Sequence, residues 1–259
     1  MRLAVLSDIH GNLPALEAVL DELARERVYA VLDLGDVLSG PLWPRETAER
    51  LMPLGWPTIA GNHERQALTT ERPQGFSDAF AAVSITAAQR AWLASLPASM
   101  TLAGGEILLL HGMPAADYEP LLETIMPDLG VNCSPGIRAA SAAEVRARLG
   151  PTSAALVLCG HSHVPRVTSL GATLVVNPGS VGLPAYDHDH PHDHVVECGS
   201  PHARWAIVER GAQGWQAQLR LTAYDWNAAA ARATANGRGD WADALATGFV
   251  GRKEKDLIG

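Results

Sequence analysis

Residues 155–163 read Ala-Leu-Val-Leu-Cys-Gly-His-Ser-His, and this stretch decides how the rest of the chain is read. The apolar run 155–159 is short and bounded, so it reads as a buried strand. A glycine then turns the chain, and two histidines follow at i and i+2. On an extended segment such side chains share one side. Both can therefore reach one polar pocket at the strand's carboxyl end. Four more apolar runs end in the same manner. Leu3–Leu6 leads to Asp8-Ile9-His10, Ala30–Leu34 to Gly35-Asp36, Thr58–Ala60 to Gly61-Asn62-His63-Glu64, and Ile107–Leu110 to His111-Gly112. Five strands would thus deliver polar side chains to the edge where open α/β sheets place their sites.

Singly, each cluster has an ordinary reading. Asp8 and Asp36 are helix caps, Gly61-Asn62 is a turn, and His111 is a satisfied core histidine. Five such clusters in order, each behind an apolar run, are not explained that way. Seven of these residues are metal-ligand types: Asp8, His10, Asp36, Asn62, His111, His161 and His163. Oxygen and nitrogen donors without thiolate suit Mn²⁺, iron or Zn²⁺. Two ions about 3.5–4 Å apart can share a hydroxide and clamp an in-line displacement at phosphorus. The spacing therefore predicts a two-metal hydrolytic centre. His63, beside Asn62 but pointing the other way, is left for proton transfer.

Around these clusters the first half of the chain alternates strand and helix. Leu13–Arg25 carries a helical stripe (Leu13, Leu16, Val19, Leu20, Leu23) with Pro14 in its first turn. Arg45–Leu51 reads as a short helix. Ser77–Ser95 reads as one or two, Thr86 and Gln89 forming a capping box. Met100–Leu110 is expected to form a hairpin turning at Gly104-Gly105. Ala116–Met126 and Ala140–Leu149 are read as helices. Further hairpins are expected at Arg166–Val176 and Arg204–Leu221, and helices at Asp225–Ala235 and Trp241–Ala246. Early βαβ units and late hairpins predict two sheets packed face to face with helices outside. No repeat or linker divides the chain, so residues 1–259 are read as one domain.

Composition narrows the function. The 259 residues are 47% hydrophobic and carry 28 acidic against 20 basic side chains, a net charge of −8. No basic run appears, which argues against a dedicated nucleic-acid surface. No stretch has the ~18 consecutive apolar residues of a membrane span, and no signal peptide is expected. Three scattered cysteines suggest neither a disulfide framework nor a cysteine-based zinc site. A cytoplasmic location is expected, and the oligomeric state is left open.

The ordered set Asp-x-His, Gly-Asp, Gly-Asn-His-Glu, His-Gly and Gly-His-x-His resembles the calcineurin-like metallophosphoesterase superfamily, from Met1 to about Pro184. Residues 174–184 (LVVNPGSVGLP) are similar to a run in its small bacterial phosphodiesterases. The resemblance implies an α/β fold, a four-layer αββα sandwich with two mixed sheets packed face to face. It implies two divalent ions, Mn²⁺ first and Fe or Zn²⁺ as alternatives. Asp8, His10 and His163 would hold one, Asn62, His111 and His161 the other, and Asp36 would bridge. A hydroxide between the ions would attack phosphorus, and His63 would protonate the leaving group. Asn12 would help hold the phosphoryl group. The implied activity is hydrolysis of a small phosphoester by a phosphodiesterase. A phosphomonoesterase, a dinucleoside polyphosphate hydrolase and a catalytically silent scaffold are the alternatives.

Two departures stand out. Protein phosphatases of the superfamily carry an acid three residues after the Gly-Asp aspartate, followed by Arg. Here those positions are Ser39 and Gly40, so the acid that orients His63 is expected to be missing. Residues 186–194 (YDHDHPHDH) form a His/Asp-rich insertion, read as a solvated mobile loop, as a further weak metal site, or as a lid that tunes substrate choice.

Overall fold

The computed structural model describes residues 1–69 and 75–253. In the first sheet β1 (Arg2–Leu6) pairs in parallel with β2 (Ala30–Asp33). On its other side β1 meets the antiparallel hairpin of β12 (Ala203–Gly211) and β13 (Gly214–Thr222). The second sheet runs in the order β3 (Ser99–Leu102), β4 (Ile107–Leu110), β7 (Leu156–Leu158), β9 (Thr173–Asn177), β8 (Arg166–Leu170). Its three central strands, β4, β7 and β9, are parallel. The register Leu3↔Ala30 to Leu6↔Asp33 ends β1 and β2 at one height. Backbone bonds from Asp8 to Gly35 and from His10 to Asp36, both 2.9 Å, carry the pairing on into the ligand loops.

The strands are apolar along their length because both faces are covered. Leu3, Val5 and Leu32 of the first sheet meet Ile107, Leu109 and Leu158 of the second. The first sheet's other face presents Ala4, Leu6 and Trp205 to α1 (Leu13–Leu23) and α2 (Pro44–Leu51). The second sheet's other face packs Val157 and Val175 against Val145 and Leu149 of α6 (Ala142–Leu149). The layers are therefore helix, sheet, sheet, helix, as expected. Each buried aliphatic side chain contributes about 1.5–3 kcal/mol, which holds the carboxyl edges of both sheets in fixed relation.

Residues of α3 (Asn62–Leu68), α4 (Phe76–Ser84) and α8 (Gly239–Thr247) line a cavity at that edge, with α5 (Ala87–Ser95) packed on α3 and α7 (Trp226–Ala235) on α8. Two small hairpins complete it: β5 (Glu123–Ile125) with β6 (Ile137–Ala139), and β10 (Ala185–His188) with β11 (His194–Glu197). Among the described residues no helix is long and apolar enough to cross a membrane.

Three expectations are corrected. Residues 58–60 make one bridge, Asp33↔Thr58, rather than a strand, because the chain leaves Pro57 and enters α3 almost at once. Residues 116–126 are not a helix. Pro120 lacks the amide donor a helix interior needs, and the stretch ends in β5 with Leu121 and Leu122 buried. The flanks of the His/Asp-rich insertion pair as a hairpin closed by His188↔His194, which a plain loop would not do, while residues 189–193 at its tip are exposed. Val195 donates to the Pro135 carbonyl at 2.9 Å, joining this hairpin to the one before it.

Candidate metal centre

The donor atoms of the seven expected ligands gather in two adjoining sets. Ligand atoms of Asp8, His10 and His163 lie within 4.8 Å of one another, and so do those of Asp36, His111 and His161. Asn62 belongs to the second set: its Oδ1 is 3.2 Å from His111 Nε2 and 3.0 Å from His161 Nδ1. Asn62 Nδ2 donates to Gln66 Oε1 at 3.3 Å, which turns the amide oxygen toward the histidines. Asp8 Oδ1 stands 3.9 Å from His111 Nε2, so the sets abut.

Three of the imidazoles are oriented by backbone carbonyls. His10 Nδ1 donates to Ser39 O at 2.7 Å, His111 Nδ1 to Leu34 O at 2.7 Å and His163 Nδ1 to Leu183 O at 2.8 Å. A carbonyl only accepts, so each Nδ1 carries hydrogen and each Nε2 is left as a ligand atom. His10 Nε2 and His163 Nε2 then face each other at 3.1 Å. Two lone pairs repel at that distance unless a proton or a metal cation lies between them. Asp8 Oδ1 is buried without a hydrogen bond beside them. The residues thus fit divalent ions by chemistry as well as by position.

The backbone tells the same story. Among the described residues eight non-glycine residues have positive φ, and five are Asp8 (+55°), His10 (+52°), Asp36 (+55°), His161 (+67°) and His163 (+59°). Left-handed backbone costs an L-residue roughly 1–2 kcal/mol. Such outliers cluster at functional sites, and these five all belong to the expected ligand set. Close approach adds its own demands. A Cβ at Gly61 would strike the Asp36 carboxylate, and one at Gly160 would strike Ser7 Oγ.

Residues without a ligand role hold the loops in place. Glu64 accepts the backbone N–H groups of Asp36 (2.8 Å), Val37 (2.9 Å) and Gly61 (2.8 Å), tying the second and third ligand loops together. Asn177 Nδ2 donates to Gly160 O at 2.8 Å, and Ser180 Oγ donates to Asp8 O at 2.7 Å. The Asn-Pro-Gly-Ser run is therefore the brace between the first and fifth ligand loops.

Charge inside the site is divided before any cation is added. Burial, with His163 beside it, pushes His10 down to about 4. Burial and His111 push His161 down to about 3. His111 goes the other way: burial opposes its charge, but Asp36 and Asp8 outweigh it and lift it to about 10. Asp36 lies well below the usual carboxylate range, its burial overcome by His111 and His63. Glu64 is pushed up to about 7 by burial and by Asp36, against the pull of its three amide donors.

Residues 1–200 match the calcineurin-like phosphoesterase superfamily domain. The chain belongs to this superfamily. Its members are hydrolases of phosphoester bonds that use divalent metals. An uncharacterised protein of Methanocaldococcus jannaschii, MJ0912, is 27% identical over 206 residues, 70% of this chain and 76% of that one. A metallophosphoesterase of Sphaerobacter thermophilus shares the fold with a TM-score of 0.72 at 24% identity, over 96% of this chain and 100% of that one. The hypothetical protein PH1004 of Pyrococcus horikoshii does so with a TM-score of 0.74 at 19% identity, over 95% of this chain and 98% of its own.

Against the superfamily pattern, two placements were not expected. The acid beside His63 is present: Asp78, in the first turn of α4, accepts from His63 Nδ1 at 2.8 Å. Ser39 Oγ, at the position where an acid was looked for, donates to the same carboxylate oxygen at 2.8 Å. No spacing rule links residues 63 and 78, so sequence reasoning missed this pair. Burial opposes charge on His63, but Asp36 and Asp78 raise it to about 9. Asn12 is fully buried instead of facing substrate. Its Oδ1 caps α1 at Ala15, and its Nδ2 donates to Gly182 O at 2.8 Å and to Tyr224 Oη at 3.2 Å.

Above the ligands lies a cavity of about 680 Å³. Its wall includes His63, Phe76, Tyr186, His188, His194 and Trp241. The insertion hairpin thus forms part of the wall. His194 is buried, and burial lowers its pKa.

Proposed function

We propose that the chain is a phosphodiesterase with a dinuclear centre, in which Asp8, His10 and His163 hold one divalent ion, Asn62, His111 and His161 the other, and Asp36 both. The preference for a diester rests on one observation. The cavity's described arginines are already engaged: Arg238 by Asp240, Arg252 by Asp243, and Arg148 by the carbonyls of Leu121 and Glu123. A monoester brings a second negative charge near neutral pH, and no such arginine is left to meet it. A diester brings one charge, which the ions can neutralise.

When bound, the ions would supply a hydroxide nucleophile at neutral pH and Lewis-acid stabilisation of phosphoryl oxygens. The chain's own residues do the rest. Asp36 Oδ1 accepts the His63 backbone N–H at 2.9 Å, setting that imidazole beside the centre. His63 presents Nε2 to the cavity and gives a proton to the departing alkoxide. Oxygen and nitrogen donors alone support Mn²⁺, with Fe or Zn²⁺ as the competing ions. We read the chain as one catalytic domain acting on a small phosphoester in the cytoplasm, consistent with its free cysteines. A silent scaffold would not need five ligands held in strained backbone.

The test compares a bis-aryl phosphodiester, an aryl monoester, a cyclic nucleotide and a dinucleoside tetraphosphate on protein reconstituted with Mn²⁺, Fe²⁺ or Zn²⁺. The expected result is a kcat/KM at least about tenfold higher for the diester than for the aryl monoester, a difference of about 1.4 kcal/mol. A monoester preference would reject the diesterase reading. A clear preference for the dinucleoside tetraphosphate would replace the proposal with the hydrolase alternative.

A further inference from the structure

We infer that Asp78 is the positioning residue for His63, and that this chain builds its acid–base pair from helix α4 instead of from the loop after Gly35-Asp36. The inference rests on His63 being the proton donor proposed above, and it adds who aims it.

The geometry is closed on every side but one. The backbone N–H of His63 is held by Asp36 Oδ1 at 2.9 Å. Its Nδ1 meets Asp78 Oδ1 at 2.8 Å. An aspartate oxygen accepts, so Nδ1 carries the hydrogen and Nε2 is the nitrogen left for the cavity. The ring stands edge-on to His10, centroids 5.4 Å apart. Its side chain keeps 30% of its surface exposed, while that of Asp78 keeps 8%. Asp78 Oδ1 also takes the Ser39 hydroxyl at 2.8 Å, so the carboxylate has a second bond that holds it toward His63. Ser39 therefore serves both halves of the site. Its carbonyl orients the ligand His10 at 2.7 Å, and its hydroxyl orients the acid on His63.

Helix α4 is itself braced from the far end of the chain. Arg238 donates to Ser77 Oγ at 3.2 Å and lies over the Phe76 ring at 5.3 Å. Asp240 fixes that guanidinium through two bonds, at 2.9 and 2.5 Å. Trp241, next along α8, stands 5.8 Å from His10. These residues lie beyond position 200, where the superfamily match ends. The C-terminal helices thus support the residue that aims the proton donor. The dyad exists only once α3, α4 and α8 have packed.

A proton donor matters most where the leaving group is most basic, and this separates aiming from mere support of the fold. The probes are thymidine 5′-aryl phosphates whose leaving phenols run from 4-nitrophenol to phenol, with Mn²⁺-loaded wild type, Asp78→Asn, His63→Ala and the double variant. Asp78→Asn should lose kcat by about threefold on the nitrophenyl ester and at least about thirtyfold on the phenyl ester, a part of the roughly 10²–10⁴-fold that a positioned proton donor supplies. KM, bound metal and the thermal midpoint should stay near wild type. The double variant should be no slower than His63→Ala, because Asp78 acts through His63. Should Asp78→Asn fold poorly, Ser39→Ala should show the same leaving-group trend at smaller size. Equal losses across the series, or losses that multiply in the double variant, would overturn the inference. A wild type inactive on every ester would instead reject the proposed function.

Discussion

His161 offers a direct measure of the strain stored at the ligands. Its φ is +67°, its backbone N–H bonds Asp8 Oδ2 at 3.2 Å, and its imidazole faces Asn62. His161→Ala and His161→Gly both remove the imidazole, so their difference isolates the backbone. Left-handed φ costs alanine roughly 1–2 kcal/mol that glycine does not bear. Glycine's freer unfolded chain returns roughly 0.4–1 kcal/mol of that. His161→Gly should therefore be more stable than His161→Ala by about 1 kcal/mol. For a domain of this size that is a melting shift of roughly 2–4 °C. Urea unfolding of both variants in chelator, free of metal, is the assay. Arg146, exposed inside α6, is the control with the opposite sign. There Ala should exceed Gly by about 1 kcal/mol. If alanine matches or exceeds glycine at position 161 as well, the strain reasoning fails. Both variants at 161 should lose turnover whichever is more stable, since neither can ligate.

The remaining predictions concern charge, bracing and the cavity wall. In metal-free protein His111 is raised to about 10, mainly because Asp36 and Asp8 outweigh its burial. Its charge stabilises the fold fully below its unfolded pKa of ~6.5, and that contribution fades as pH rises through about 10. Ligation needs the neutral ring, so filling the second metal site at pH 7.5 should release about one proton. Calorimetry in two buffers of different ionisation heat reads this, and release of less than about half a proton would count against it. Asp36→Asn should abolish turnover and lower metal content while leaving the fold intact; near-normal activity would refute the two-ion centre. Glu64→Gln should cost about 1–3 kcal/mol in urea unfolding, because one of three buried N–H groups loses its acceptor. No measurable loss would mean that water replaces the brace. Replacing residues 189–193 with Asn-Gly should keep β10 and β11 paired while removing His190 from the cavity wall. KM should rise for nucleotide diesters and hold for bis-aryl esters; unchanged KM for both would remove the hairpin from substrate selection.

Much of the site was legible because its logic is local. An apolar run that ends in Asp, His or Asn places that residue at a strand's carboxyl end, and parallel strands bring such ends together. That reasoning reached the candidate ligands Asp8, His10, Asp36, His111, His161 and His163 without coordinates, and it reached Asn62 although residues 58–60 make a single bridge instead of a strand. It failed where pairing depends on packing. Residues 116–126 show apolar spacing that suits a helix, yet Pro120 and the burial of adjacent Leu121 and Leu122 favour extended chain. Asn12 sits between a ligand loop and a helix, where phosphoryl contact is a fair expectation. In the fold, Gly182 and Tyr224, distant in sequence, claim its amide.

The sequence by itself determined the layered α/β plan and the set of candidate ligands, since both follow from short-range periodicity and from residue type. Tertiary structure decided who orients whom. Asp78 meets His63 because α4 docks beside α3, and no local pattern encodes that docking. The left-handed backbone of five ligands, the brace from Asn177 and Ser180, and the hairpin in the cavity wall are likewise products of packing. Ser180 and Asp8 are 172 residues apart in the chain, and such contacts form only when the two sheets and their flanking helices close around the same edge.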